Sequence, residues 1–143
     1  MIEMQKKFRN DPTKPCTLEN TISSTAAIRY LTLHGYRVGN SLNDQKLNEA
    51  VMALVADLFF SCSEEQMERF LMCLEVGNTE AVLAAIRSMY SRLKMNVPER
   101  IWAFAAMPDV WNEYVRRVSN QLSILRTVCD YEDQIYELEE YEE

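Results

Sequence analysis

From Trp111 to Cys129 the chain sets Trp111, Val115, Val118, Leu122, Leu125 and Cys129 at spacings of four, three, four, three and four. An apolar repeat of that kind faces one side of an α-helix and no side of a β-strand. It predicts a long last helix starting near Asp109. The next position in the same register is Glu132, so the seam stops where an acidic tail begins. The tail is expected to stay helical for a turn or two, then to lack an apolar face and fray. A seam like this serves either a core or a homodimer interface, and the sequence leaves both open.

Other segments carry the same signature. Ile22, Ala26, Tyr30 and Leu33 mark a first helix that ends at His34, with Gly35 as its stop. Leu47, Val51, Leu54 and Leu58 mark a second, over roughly Leu42–Phe60 with Ser41 as N-cap. Ser63-Glu64-Glu65-Gln66 has the form of a capping box, which opens a third helix with Met67, Phe70, Leu71 and Leu74 inward. After Gly77, a fourth helix turns Val82, Ile86, Met89 and Leu93 inward. Pro98 suits the first turn of a fifth, and Pro108 stops or kinks it. No strand alternation and no internal repeat stand out. The fold class is therefore all-α, a bundle of five or six helices arranged as hairpins with a long C-terminal helix and an acidic tail.

Only 3 glycines and 4 prolines occur in 143 residues, which argues against a β-sandwich or a Gly-rich phosphate-binding fold. The length suits one domain, expected over residues 18–129 behind a basic arm at 1–17 that carries Lys6, Lys7, Arg9 and Lys14. Net charge is −7, and it is concentrated. Asp130, Glu132, Asp133, Glu137, Glu139, Glu140, Glu142 and Glu143 follow one another with no Lys or Arg among them. The 14 acids and 15 bases before them nearly cancel. Direct nucleic-acid binding is disfavoured on this balance, since the protein repels phosphate.

No signal peptide or membrane span is visible, so the expected location is the cytoplasm. Cys16, Cys62, Cys73 and Cys129 are widely spaced, and the chain has one histidine. These residues predict reduced thiols, with neither metal nor cofactor. Enzyme motifs are lacking, and His34 at a helix end is expected to complement the helix dipole. No catalytic residue is therefore assigned. A helix-turn-helix across Gly77 would place Arg87 and Arg92 near DNA, but Glu80 would oppose it. Trp102, Phe104, Trp111 and Tyr114 cluster around Pro98 and Pro108. Trp and Tyr are common interface anchors, so these four are the candidate partner-binding residues, with core filling as the other reading.

Residues 26–93 resemble the small YmgB/AriR–YcgZ biofilm-development regulators, also called two-component connector proteins. The resemblance rests on Ala26, Tyr30 and Gly35, on Leu47, Ala50, Val51 and Leu54, on Leu74-Glu75, and on Ile86-Arg87. It implies a helical, dimeric, non-enzymatic bacterial regulator that contacts regulatory proteins. Residues 94–143 depart from that family. The expected function is that of a small regulatory or adaptor protein working by protein–protein contact. The alternative is a phage- or plasmid-type inhibitor whose acidic surface mimics DNA before a restriction, CRISPR or transcription protein. A DNA-binding regulator is a third reading.

Overall fold

Ser23 opens the first helix, α1 (Ser24–Leu33), by accepting the Ala26 N–H on its hydroxyl. The computed structural model describes residues 22–141, with side chains described through Val128. The basic arm at 1–17 lies outside the described residues. At the far end of α1, Gly35 takes φ 81°. There the Tyr36 N–H reaches the Leu31 carbonyl and the Gly35 N–H reaches that of Thr32, a Schellman stop. The inward face of α1 is not the expected one. Ala27 and Leu31 are buried, Ala26 and Tyr30 are half-buried, and Leu33 is exposed. The helix starts only after Ile22, so Ile22 enters the core from the cap segment and does not set the helix phase.

A two-residue hairpin follows, β1 (Arg37–Val38) against β2 (Ser41–Leu42), antiparallel with Arg37 opposite Leu42. Its turn has Gly39 at φ 62°, as a type II′ turn needs at its first central residue. This hairpin displaces the expected start of the second helix. Ser41 is a strand residue, and Asn43 is the cap of α2 (Asp44–Ser61).

α3 (Glu64–Val76) begins with the capping box as expected: the Ser63 N–H donates to Gln66 Oε1 at 2.9 Å, and the Gln66 N–H to Ser63 Oγ at 3.3 Å. Gly77 at φ 75° ends it, and Asn78 caps α4 (Thr79–Arg92). α4 also closes with a Schellman pattern, but here Lys94 occupies the left-handed position at φ 57°. Pro98 precedes α5 (Glu99–Ala105). Pro108 is the first residue of α6 (Pro108–Tyr141), where the missing N–H costs nothing. The helix does not fray after a turn or two of the acidic run. Its backbone stays helical to Tyr141, and its 34 residues span about 51 Å.

These six helices of the described residues form an all-α bundle around one contiguous apolar core. α2 lies on α6 and α4, α3 on α4 and α6, α1 on α5, and α5 on α6. The expected stripe of α2 is buried in full, as are Phe70, Leu71 and Leu74 of α3. Full burial of such a side chain stabilises by about 1.5–3 kcal/mol. Ion pairs tie the long helix to the rest. Arg37 pairs with Asp109 at its start. Arg117 bonds Asp44 Oδ1 at 2.6 Å, Asn48 Oδ1 at 2.9 Å and Glu113 Oε1 at 2.8 Å.

Candidate interaction surface

Trp102, Phe104, Trp111 and Tyr114 are all buried. Phe104 lies 4.8 Å from Tyr114 and 5.2 Å from Tyr36, ring centre to ring centre, and Trp111 lies 6.1 Å from Tyr114. They fill the corner where α5 turns into α6. A partner cannot reach them on the folded chain, so their reading as partner-binding anchors is corrected to core. The physical reason is the short α5–α6 connection, which forces the large side chains of both helices into one shared interior.

That interior carries two polar contrasts. Tyr90 Oη donates to Asp57 Oδ2 at 2.6 Å, linking α4 to α2. Burial, then the Asp57 carboxylate, raises the Tyr90 phenol above its usual range. Tyr114 Oη is fully enclosed and has no hydrogen-bond partner among the described residues. Burial raises its phenol also.

Among the described residues three concave areas stand out. The most apolar holds about 310 Å³ between the C-terminal end of α2, the outer face of α3 and the middle of α6. Phe59, Met67, Leu71 and Leu122 line it, and Glu64, Glu68 and Arg126 form its rim. Arg126 Nη2 reaches Glu68 Oε1 at 2.6 Å. Phe59 is 50% exposed and its neighbour Phe60 85% exposed. The buried stripe of α2 ends at Leu58, just before this pair. The second area holds about 570 Å³ between α2 and α6, with Asn48, Met52, Arg117, Gln121 and Ile124 among its lining residues. Beside it, hydrogen bonds from Arg116 and Arg117 hold the Glu113 carboxyl down at about 2. The third, about 190 Å³ between α3 and α4, exposes Cys62 and Cys73, and Arg92 Nη2 lies 3.3 Å from Cys62 Sγ.

None of these areas contains His34, which is exposed and lies against Tyr30 at 4.2 Å. Among the described residues no three His, Cys, Asp or Glu side chains come together as a metal site. No helix there is long and apolar enough to cross a membrane. On the outer face of α4, Arg92 is engaged with Ser88 and Cys62, and Glu80 is exposed in the first turn. Of the acidic residues, Asp130, Glu132, Asp133, Glu137, Glu139 and Glu140 lie on the helical backbone of α6, while Glu142 and Glu143 are outside the described residues.

The sequence did not single out Phe59, Arg126, Ile124 or Val128, and it placed Met67 inward, where the structure leaves it half-buried. The available signal was the Phe59-Phe60 pair, two large apolar residues beyond the Leu47–Leu58 stripe. In comparisons with known proteins, no family model, curated protein or solved structure matches this chain.

Proposed function

We propose that this chain is a non-enzymatic regulatory adaptor that receives an amphipathic helix of a protein partner in the groove between α2, α3 and α6. The observation that carries the reading is the groove in which exposed Phe59 and half-buried Met67 stand beside the buried Leu71 and Leu122. A groove of this kind takes the apolar face of a helix. The rim supplies the charge rule. Glu64 and Glu68, the latter shared with Arg126, favour Lys or Arg beside the apolar face of the incoming helix. The resemblance of residues 26–93 to two-component connector proteins agrees with a regulator as partner.

The test places a photo-reactive phenylalanine analogue at Phe59, with Val38 on the distant hairpin as control position. A partner is expected to link at 59 and not at 38. A synthetic peptide of the linked helix should bind the purified chain and lose at least about tenfold in affinity to Phe59→Asp. Equal binding by Phe59→Asp, with the fold intact by circular dichroism, overturns the reading.

A second reading is favoured by the regular helix through Tyr141. Its backbone sets the residues of the acid-only run up to Glu140 at a rise of about 1.5 Å each, a regular spacing that suits a phosphate mimic in the basic groove of a nucleic-acid-handling protein. Deleting residues 130–143 would then abolish inhibition, and added salt would weaken it. Inhibition that survives the deletion refutes this reading.

A further inference from the structure

α6 carries two apolar seams, and the bundle uses one. The first buries Trp111, Val118 and Leu122 and half-buries Val115 and Leu125. The second starts two residues after Leu122, about 200° around the helix. Ile124 is 55% exposed and Val128 46% exposed. In the same register the sequence continues with Tyr131, Ile135 and Leu138, so the spacings from Ile124 are four, three, four and three. The first seam ends on Glu132 while the second runs on through the acidic segment. A second apolar heptad face on a helix already packed in its own bundle is a surface suited to a second helix.

We propose that this partner is another copy of the chain, and that two α6 helices pair in parallel from Ile124 to Leu138. The register argues for both the copy and the direction. Counting Ile124 as d puts Val128 and Ile135 at a, and Tyr131 and Leu138 at d. β-branched residues at a are those that favour two parallel strands. The flanks are compatible with self-pairing despite the acids. Glu132 and Glu139 fall at e, while Thr127, Gln134 and Tyr141 fall at g. In a parallel pair each e residue faces a g residue, so no acid opposes an acid across the seam. An antiparallel pair sets the e-position glutamates of one chain against those of the other. Asp130, Asp133, Glu137 and Glu140 fall at c and f, outside the seam register. At the body end, Met52 of α2 is exposed and lines the same groove as Ile124, so the contact gains an apolar foot from α2. A two-fold arrangement satisfies both copies with one surface. The seam lies outside residues 26–93, and the proposal is independent of the groove at Phe59.

Sedimentation equilibrium of the full chain across the micromolar range, at low and high salt, tests the pairing. The apparent mass is expected to double with concentration, at lower concentration in high salt because the clustered carboxylates are screened. Val128→Glu with Ile135→Glu should remain monomeric at every concentration, with the thermal transition of the bundle unchanged. Val38→Ser, on the hairpin that Arg37 ties to Asp109 at the start of α6, should dimerise as the parent does. A parent chain that stays monomeric throughout, or a dimer that survives the double substitution, overturns the proposal. Direction is read from Leu138→Cys under mild oxidation. A disulfide between the two copies of residue 138, mapped by peptide mass so that native cysteines are not counted, is expected. A dimer without that link overturns the parallel arrangement.

Discussion

Replacing Tyr114 by Phe should stabilise this protein, although Tyr114 is among its most deeply buried residues. The phenol oxygen is fully enclosed, and nothing among the described residues hydrogen-bonds to it. A buried hydroxyl left without a partner costs about 1–3 kcal/mol in lost hydration. Its removal recovers that cost and forfeits the dispersion contacts of a single oxygen atom, a few tenths of a kcal/mol. The net gain is about 1 kcal/mol. For a domain of this size it raises Tm by about 4 °C. The companion substitution has the opposite sign. Tyr90→Phe removes a 2.6 Å bond to the half-buried Asp57 carboxylate and should cost about 1–2 kcal/mol. Both are measured by urea unfolding followed by tryptophan fluorescence, with unchanged m-values as the check that the transition stays two-state. A Tyr114→Phe variant less stable than the parent by 1 kcal/mol or more would refute the reasoning, because it would mean that the hydroxyl is hydrogen-bonded.

Trp111→Ala should destabilise by about 3–5 kcal/mol through loss of a core indole, and Trp111→Phe by less; a variant that unfolds at the parental urea midpoint would return Trp111 to the surface. Glu113 lies below its ordinary carboxyl value because Arg116 and Arg117 donate hydrogen bonds to it. A depressed folded-state pKa adds stability above the unfolded value of 4.5 and loses it as pH falls through about 2. The stability difference between the parent and Glu113→Gln should therefore shrink between pH 5 and pH 2, as read by thermal melts; a difference independent of pH in that interval would exclude the carboxylate.

The helices were legible wherever the signal was local. Ser63 with Gln66, Gly35, Gly77 and Pro98 act within one turn of the backbone, and the structure finds each of them at a helix end. The stripe from Leu47 to Leu58 was legible because an 18-residue helix averages over several turns. α1 was read one phase off because its 10 residues give the pattern little length, and Ile22 was counted as helical. The hairpin at Arg37–Leu42 escaped because two-residue strands show no alternation; Gly39-Asn40 was its only trace. The aromatic block was ambiguous for a chemical reason. Trp and Tyr suit a core and an interface equally, and only the packing of α5 on α6 decides between them. The second seam of α6 was missed because the first register was followed to Glu132, and the apolar residues resume on the other side of the helix.

The pairing of α2 with α6 also has a consequence for biosynthesis. α2 is complete at Ser61, and α6, on which it packs broadly, shares a groove with its Phe59 as far as Arg126, about 65 residues later. At roughly 5–20 residues per second a ribosome needs about 3–13 s for that stretch. During this interval Leu47, Val51, Leu54 and Leu58 lack their final cover. α1 waits similarly for α5. The nascent chain thus presents a greasy ribbon to ribosome-associated chaperones or to neighbouring polypeptides until its last third emerges, and a stop codon just before Pro108 would leave a product prone to aggregate and not a smaller folded one.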